Sequence, residues 1–281
     1  MKASTLTQPS PLLVVGAPRS GNTLVRRVLL ASGQIYIPPE TYVLGEVIER
    51  WKRWRRLDWR EKVFLFASYF DRHANWPEMD VPSLAAFVTE AVGWPEEKHD
   101  LRALLNGLYG FLARQHGFAA PRWGDKTPWN TMHLKSIVKF LPDAQFLYLV
   151  RDGRDSVASQ VKADMRTVDV AVDRWVQANS ACARFLPRDR TLKMSYEDIV
   201  TKPEAAFDRI FGFARMDFAR EYLTRVPANL GDIEQLDHHA AVLKPITPAS
   251  IGNWKKTLNE TDVARFPDAF RQHMKRHGYT G

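Results

Sequence analysis

Residues 14–23, VVGAPRSGNT, follow a short apolar run and have the layout of a phosphate-binding loop between a strand and a helix. The motif G-x-x-x-x-G-K-[ST] keeps its glycines here as Gly16 and Gly21, but Asn22 stands where the motif has lysine. Backbone N–H groups of such a loop can still hold a phosphate at the start of the following helix. The missing lysine normally reaches a γ-phosphate, and here Arg19 supplies a cation earlier in the loop. We therefore predict a phosphate-ester ligand whose transferable group is not the γ-phosphate of ATP.

Apolar strands alternate with helical patterns, which predicts one α/β domain over residues 1–281. The runs 12–15, 145–150 and 191–196 have strand character, and 145–150 is apolar nearly throughout, as in a strand buried on both faces. Residues 43–117 show helical patterns punctuated by proline and glycine. We therefore predict a P-loop-type parallel sheet flanked by helices, with a helical insertion after the first strand–helix unit. Its ligand is expected beyond the carboxyl ends of the strands.

Composition narrows the range of partners without deciding among them. Forty Lys and Arg residues against 32 Asp and Glu give a net charge of +8, which suits an anionic ligand, nucleic acid or an anionic surface. The single cysteine, Cys182, excludes an intramolecular disulfide framework. Since neither a signal peptide nor a run of about 18 apolar residues is visible, we expect a soluble, cytoplasmic chain with no membrane span.

A second cationic motif, LVRDGRDSVAS, occupies residues 149–159. Arg151 leaves the end of the apolar strand and Ser159 lies about two turns into the next helix, so a guanidinium and a hydroxyl can converge on one phosphate. Alternatively, Arg151 and its charged neighbours form surface ion pairs around a turn. Carboxyl ends of parallel strands share one sheet edge, and the nearby phosphate-binding loop therefore favours the first interpretation.

Together, PRSGNTL at 18–24 and LVRDGRDSVAS resemble the paired nucleotide-binding signatures of sulfotransferases that use 3′-phosphoadenosine 5′-phosphosulfate (PAPS). The resemblance extends over most of the chain. It is greatest to the tyrosylprotein-sulfotransferase-like branch, through PPETY at 38–42, GDKTP at 124–128, SYED at 195–198 and LKPITPASIGNW at 243–254. It implies PAPS as the sulfuryl donor and a hydroxylated acceptor.

The resemblance also implies nucleotide-binding roles for matched positions. The 5′ side of PAPS would be bound by Arg19, Ser20, Gly21, Asn22 and Thr23, and the 3′-phosphate by Arg151 and Ser159. Tyr196 and Lys244 would contact the nucleotide, with Lys255 and Lys256 as weaker candidates for closing over it. Taken without the resemblance, Tyr196 is equally a core tyrosine at a strand end, and Lys244 an exposed loop lysine.

Two further positions would carry the chemistry by the same resemblance. Glu40 would take the proton of the acceptor hydroxyl, and Lys126 would steady the sulfuryl group and its leaving phosphate. The residues alone leave Glu40 as a solvated loop residue or helix cap, and Lys126 as a surface lysine. His133 is an alternative base, although a histidine inside a helix is more often structural.

Two positions depart from the pattern of this branch, and the first of them bears on the acceptor. Tyr42 stands where the peptide-sulfating enzymes have an arginine, and a family arginine one turn beyond Ser159 falls on Ala163, beside Lys162. Because the region of Tyr42 faces the acceptor, the resemblance does not extend to a protein tyrosine. We predict a small or medium phenol or sugar alcohol, with a peptidyl tyrosine as the open alternative.

Other function classes remain as alternatives. A P-loop kinase or nucleotide hydrolase would need Mg²⁺, a loop lysine and usually an acidic residue closing a neighbouring strand. A nucleic-acid or membrane-surface binder would use WKRWRRLDWR at 51–60, which is instead interpreted as an amphipathic helix with Trp51 and Trp54 packed inward, or as a lid. His238 and His239 lack the spaced partners of a metal site. We expect neither a metal nor a nucleic-acid partner.

Overall fold

The computed structural model describes residues 10–120, 122–227 and 244–279. In these ranges four parallel strands form one sheet with the order β2-β1-β3-β4. The strands are β1 (Leu12–Gly16), β2 (Gly124–Asp125), β3 (Gln145–Val150) and β4 (Thr191–Ser195). The predicted fold class, a parallel sheet flanked by helices, is confirmed.

Helices occupy most of the remaining described chain. Up to residue 227 they are α1 (Asn22–Ala31), α2 (Leu44–Arg50), α3 (Trp59–Asp71), α4 (Ala85–Val92), α5 (Leu101–Gln115), α6 (Leu134–Phe140), α7 (Gly153–Lys162), α8 (Val168–Phe185), α9 (Tyr196–Thr201) and α10 (Pro203–Ala214). Two later helices are α11 (Glu260–Ala264) and α12 (Asp268–Arg276). Short 3₁₀ helices include Trp51–Trp54, Trp76–Met79, Pro128–His133 and Asn253–Lys256.

The strand order reverses between β1 and β3. After β1 the chain forms β2 on one side, then crosses to the other side of β1 to form β3 and β4. In open α/β sheets the crevice at such a reversal, outside the carboxyl ends of the strands, is the usual ligand site. Loop 17–21 follows β1, and Arg151 follows β3, so both predicted phosphate-binding motifs lie at this crevice.

Close pairing of β1 and β3 explains why the loop begins with glycine. Gly16 has φ +138°, and a Cβ on it would lie 2.2 Å from the carbonyl oxygen of Leu149. A side chain is therefore excluded by contact with the neighbouring strand as well as by the backbone conformation.

The segment predicted as a helical insertion forms α2 to α5 and shares the core of the sheet. Phe66, Phe87 and Tyr109 from these helices are buried in one apolar cluster with Leu13 and Leu147 of the central strands. Burial of such aromatic side chains is the main stabilising contribution to a packed core. The segment therefore has a fixed position against β1 and β2.

A second apolar cluster supports the helix that carries Ser159. Val157 on α7 packs with Trp175 on α8, and with Phe270 and Met274 on α12. The rings of Trp175 and Phe270 lie 4.7 Å apart. This packing fixes α7 against the carboxyl end of β3.

The basic segment at 51–60 does not form the single amphipathic helix that its pattern predicted. Asp58 begins a capping box with Glu61 that starts α3 at Trp59, which separates this helix from the 3₁₀ turn Trp51–Trp54. Trp54 is buried, and Trp51 packs on it at 5.5 Å. The inward packing of these two tryptophans is confirmed, but it arises from two separate elements.

Tyr196 begins a helix instead of ending the strand predicted at 191–196. The Ser195 hydroxyl accepts a hydrogen bond from the backbone N–H of Asp198 at 3.0 Å, which is the geometry of a helix N-cap. The strand β4 therefore ends at Ser195.

We expect the free energy of unfolding to depend on pH because of His277. Burial, then the positive charges of Lys193, His273 and Arg276, lower the pKa of His277 to about 4. The unfolded chain binds this proton near pH 6.5, so the free energy of unfolding should decrease as the pH falls from about 6.5 towards about 4. Urea unfolding of the wild type and His277→Phe between these pH values tests this. Equal pH slopes in the two proteins would contradict it.

Candidate functional site

A cavity of about 950 Å³ opens at the carboxyl ends of β1 and β3. Most of the predicted site residues line it: Arg19, Gly21, Asn22, Thr23, Glu40, Arg151, Ser159, Tyr196 and Lys244. Ser20 and Lys126 do not line it but are fully buried next to residues that do. The fold therefore brings the predicted positions together around one space.

The loop after β1 takes two left-handed backbone conformations. Arg19 has φ +62° and Gly21 has φ +90°, and the second turn leads directly into α1. Asn22, in the place of the usual lysine, donates from its side-chain amide to the carbonyl of Ala17 at 3.1 Å. It therefore braces the loop, and Arg19 is the loop cation that lines the cavity.

Two arginines connect the loop to the end of β3. Arg151 donates one hydrogen bond to the carbonyl of Arg19 at 3.0 Å and another to the carbonyl of Ser250 at 2.9 Å. Arg19 donates from Nε to the Ser159 hydroxyl at 3.0 Å. Burial, followed by the positive charge of Arg151, lowers the pKa of Arg19 below its ordinary value. These contacts hold two cations close together, and an anion bound between them would reduce their repulsion.

Tyr196 completes this part of the cavity. Its ring lies under the Arg151 guanidinium, with 4.3 Å from Cζ to the ring centroid. Its edge lies against the loop, because a Cβ on Gly21 would be 2.7 Å from the ring. The hydroxyl of Tyr196 is hydrogen-bonded to that of Ser250. An aromatic face next to two arginines is suited to a base or ribose joined to phosphate.

Three buried polar atoms at the loop have no protein partner among the described residues. They are the Ser20 hydroxyl, the Asn22 carbonyl oxygen and Nε of Arg151. Buried polar groups are almost always hydrogen-bonded. The hydroxyl and the Nε–H can both donate to phosphate oxygens, so the residues present fit a phosphate group at this place.

Glu40 and Lys126 form an ion pair beside this cavity. Lys126 Nζ donates to Glu40 Oε1 at 2.7 Å. The Lys126 side chain is fully buried, whereas that of Glu40 keeps 19% of its surface exposed. Of the two residues, only Glu40 lines the cavity. Its carboxylate can therefore contact a ligand, and the Lys126 ammonium lies behind that carboxylate.

A buried network that sequence reasoning missed positions this pair. Asp125 accepts hydrogen bonds from the hydroxyls of Thr41 (2.8 Å) and Tyr109 (2.6 Å) and from the Asn130 amide (2.6 Å). Burial raises the pKa of the Asp125 carboxyl above its ordinary value, and hydrogen bonds from the hydroxyls of Tyr109, Thr41 and Thr127 offset only part of this shift. Because Thr41 follows Glu40 and Asp125 precedes Lys126, the network joins the two segments that carry the pair.

A late segment, residues 249–257, forms one wall of the cavity. Asp155 on α7 accepts the backbone N–H groups of Gly252 at 2.8 Å and Trp254 at 2.9 Å. Lys256 lines the cavity from this segment, whereas Lys255 lies over the Trp254 ring at 5.8 Å. Only Lys256 of these two weaker candidates is therefore placed to reach a ligand.

Several cavity residues were not predicted as site residues. Glu78, Trp129, Met165, Arg166 and Arg174 all line it. They come from the 3₁₀ helices at 76–79 and 128–133 and from the region of α8, and no motif of the sequence includes them. For Trp129, its position three residues after Lys126 could have indicated that it lies near the site.

Positions that depart from the tyrosylprotein branch also lie here. Tyr42 has φ +59° and stacks on His73 with 5.0 Å between ring centroids. Tyr42 and Lys162 line the cavity, and Ala163 does not. His133, the alternative base, is paired with Glu49 at 3.1 Å and does not line the cavity.

The described ranges contain neither a metal-binding cluster nor a membrane-spanning helix. No group of three or more His, Cys, Asp or Glu side chains there could hold a metal ion, and no helix there is long and apolar enough to cross a membrane. His238 and His239 lie outside the described residues. The absence of a metal and the cytoplasmic location stay predictions.

Comparison with known proteins identifies the family. The model of the sulfotransferase family matches residues 11–220. The protein-tyrosine sulfotransferase A of Caenorhabditis elegans is 23% identical over 289 residues, which cover 96% of this chain and 67% of the relative. A protein-tyrosine sulfotransferase of Gallus gallus is 25% identical over 263 residues, 87% of this chain and 63% of the relative.

A solved structure agrees with this result at the level of fold. The sulfotransferase domain of the Synechococcus olefin synthase superposes with a TM-score of 0.67, at 23% identity and 98% coverage of both chains. With the family match covering most of the sequence, the chain belongs to the sulfotransferase family near its protein-tyrosine branch, and the predicted enzyme class, a PAPS-dependent O-sulfotransferase, is confirmed.

Proposed function

We propose that this enzyme transfers the sulfuryl group of PAPS to the hydroxyl of a small or medium phenol or alcohol, with Glu40 as the general base. The observation that carries the proposal is the arrangement of one cavity. Arg151, which is buried, and Arg19, which is half-buried, line it, and so does Glu40, which is ion-paired with Lys126. The two arginines can hold a double anion, and Glu40 can take a proton.

The nucleotide would be bound by the loop and the strand end. The unpartnered Ser20 hydroxyl, with the backbone N–H groups at the start of α1, would donate to the 5′ phosphate. The unpartnered Nε of Arg151 and the hydroxyl of Ser159 would donate to the 3′-phosphate, with Tyr196 against the adenosine. Lys244 lines the outer part of the cavity, where it would meet the same anion.

The reaction moves one proton and one sulfuryl group. Glu40 would remove the proton of the acceptor hydroxyl as its oxygen attacks sulfur, and the bond from sulfur to the leaving phosphate oxygen breaks. Charge then builds on the sulfuryl and leaving oxygens. Lys126 and Arg19 would stabilise this charge from fixed positions, as preorganised cations and N–H groups do in other transfer reactions.

Tyr42 supports a small or medium acceptor. Its ring is stacked on His73 at the edge of the cavity, so an aromatic surface lies where peptide-sulfating enzymes have an arginine. A flat apolar surface next to the base suits a phenol or an alcohol with an apolar body. Because the relatives are protein-tyrosine sulfotransferases, peptidyl tyrosine is the second acceptor class that we propose.

Calorimetric titration tests the nucleotide assignment. Adenosine 3′,5′-bisphosphate is titrated without metal, and ADP is titrated with Mg²⁺ in parallel. We expect tight binding of the bisphosphate and a weak response to Mg-ADP. The reverse preference would contradict the proposal and favour a kinase or hydrolase.

Arg151→Gln should weaken bisphosphate binding by about 10- to 100-fold, because a hydrogen bond to a charged group contributes about 1.5–3 kcal/mol. The matched control is Arg154→Gln, three residues further along. Arg154 is paired with Asp152 at 2.7 Å and does not line the cavity. Calorimetry on both variants is the measurement, and an equal loss of affinity in the two would contradict the role of Arg151.

A further inference from the structure

The cavity holds more cations than the nucleotide assignment uses. Three that have no role in it are Lys162 at the end of α7, Arg166 in the following loop, and Arg174 on α8. They line the cavity together with Trp129 and Met165. This group is called the second cation cluster below.

Arg174 is the centre of the second cation cluster. Only 8% of its surface is exposed, and its Nε has no partner among the described residues. Its guanidinium lies over the ring of Trp129, 4.3 Å from the centroid. Within the described ranges, none of the three cations is paired with a carboxylate, and the nearest polar partner is the Gln160 side chain, which accepts from Arg166 at 3.0 Å.

Such an arrangement of buried cations is costly without a counter-charge. Burial, with the positive charge of Arg166, lowers the pKa of Arg174 to about 10. Buried charges are normally paired, because desolvation without a counter-charge is unfavourable. An anionic ligand group would supply the missing counter-charge and accept from the free Nε–H.

Trp129 connects this cluster to the segment that carries Lys126. Trp129 comes three residues after Lys126, in the 3₁₀ helix that directly follows the segment ion-paired with Glu40. The nucleotide cations, in contrast, are bonded to Ser159 and Ser250 near the loop. Trp129 and Met165 are each 42% exposed, so an apolar surface borders the cations.

We propose that Arg174 and Arg166, with Trp129, form an anion-binding subsite that recognises a carboxylate or phosphate carried by the acceptor. The inference rests on the proposed function and specifies the acceptor class. The acceptor has a hydroxyl for Glu40, an apolar body against Trp129 and Met165, and an anionic group at Arg174. A guanidinium fork stacked on an indole binds such a group with defined geometry.

Direct binding is the first test. Inorganic phosphate is titrated at low ionic strength into the protein with and without saturating adenosine 3′,5′-bisphosphate. We expect phosphate to bind the nucleotide-saturated wild type and Arg184→Gln, a control on the exposed part of α8, but not Arg174→Gln. Absence of phosphate binding to the saturated wild type would overturn the subsite.

Turnover is the second test. Hydroxyphenylalkanoates and ω-hydroxy acids are compared with their methyl esters as acceptors. We expect kcat/KM to favour the acids by about tenfold or more in the wild type, the effect of one charge-assisted hydrogen bond, and to lose this preference in Arg174→Gln. Arg174→Lys keeps the charge and should retain part of the preference for acids. If Arg174→Gln does not fold, Arg166→Gln gives the same comparison.

The outcomes separate the two proposals. Arg174→Gln should leave bisphosphate affinity within about threefold of the wild type, less than the tenfold that 1.4 kcal/mol would produce. A larger loss, with the preference for acids intact, would assign the cluster to the nucleotide and overturn the subsite. Failure of the wild type to bind the bisphosphate contradicts the proposed function instead, and phosphate titration of the nucleotide-free variants then still decides the subsite.

Discussion

Glu40→Gln should lower kcat by about 10²- to 10⁴-fold, the usual contribution of a positioned general base. Glutamine keeps the shape of the side chain and a carbonyl oxygen that can accept from Lys126 Nζ, which bonds Glu40 at 2.7 Å. It cannot take the acceptor proton. We expect bisphosphate affinity to stay within about threefold of the wild type, because the hydrogen bonds proposed for the two phosphates come from Ser20, Arg151 and Ser159 and not from Glu40. Steady-state turnover and calorimetry on the same preparation measure both quantities.

Glu78→Gln is the matched control for this change. Glu78 lines the same cavity, and its carboxylate accepts from the Asn75 amide at 2.6 Å. The control should keep most of the wild-type kcat. A large loss in Glu78→Gln together with a small loss in Glu40→Gln would move the base to Glu78. Retention of most activity in both would exclude a carboxylate base from this set.

Lys126→Met should lower kcat by about 10²- to 10³-fold, as removal of one preorganised charge-stabilising donor does in other enzymes. Methionine has nearly the length of the lysine stem and fits a fully buried position. Loss of the ammonium removes the positive charge that is bonded to Glu40 and that would stabilise the charge developing on the sulfuryl oxygens in the cavity. The measurement is kcat with saturating PAPS and acceptor, compared with the bisphosphate dissociation constant.

Lys256→Met serves as the control for Lys126→Met. Lys256 lines the cavity from the late wall but is exposed. We expect a modest change in the KM for PAPS and a nearly unchanged kcat. If Lys126→Met raised only the KM for PAPS and left kcat unchanged, Lys126 would contribute to ground-state binding and not to the transition state.

Sequence reasoning recovered the parts of the fold that local pattern determines. The run 145–150 forms β3 with the expected bounds, since its five successive apolar residues, 146–150, are all buried in a strand that is covered on both faces. Gly16 and Gly21 have the positive φ values that a phosphate-binding loop requires. Arg151 lines the cavity because it directly follows the end of that strand, and its role in nucleotide binding stays a prediction.

What was missed depends on tertiary contacts. Strand β2 has two residues, Gly124 and Asp125, too few for any periodicity to appear. The position of Asp125 beneath Thr41 and Tyr109 joins segments 84 and 16 residues away in the chain. Arg174 faces the cavity only because α8 packs against the 3₁₀ helix that carries Trp129.

Asp155 anchors the late wall through main-chain donors alone, the N–H groups of Gly252 and Trp254. Every residue type except proline offers such a donor. Asn253, Lys256 and Thr257, which line the cavity from this wall, can therefore be exchanged while the backbone keeps its place. The enzyme thus has a surface on which selectivity can diversify, in nature or in a directed library, with the sheet and its loop left unchanged.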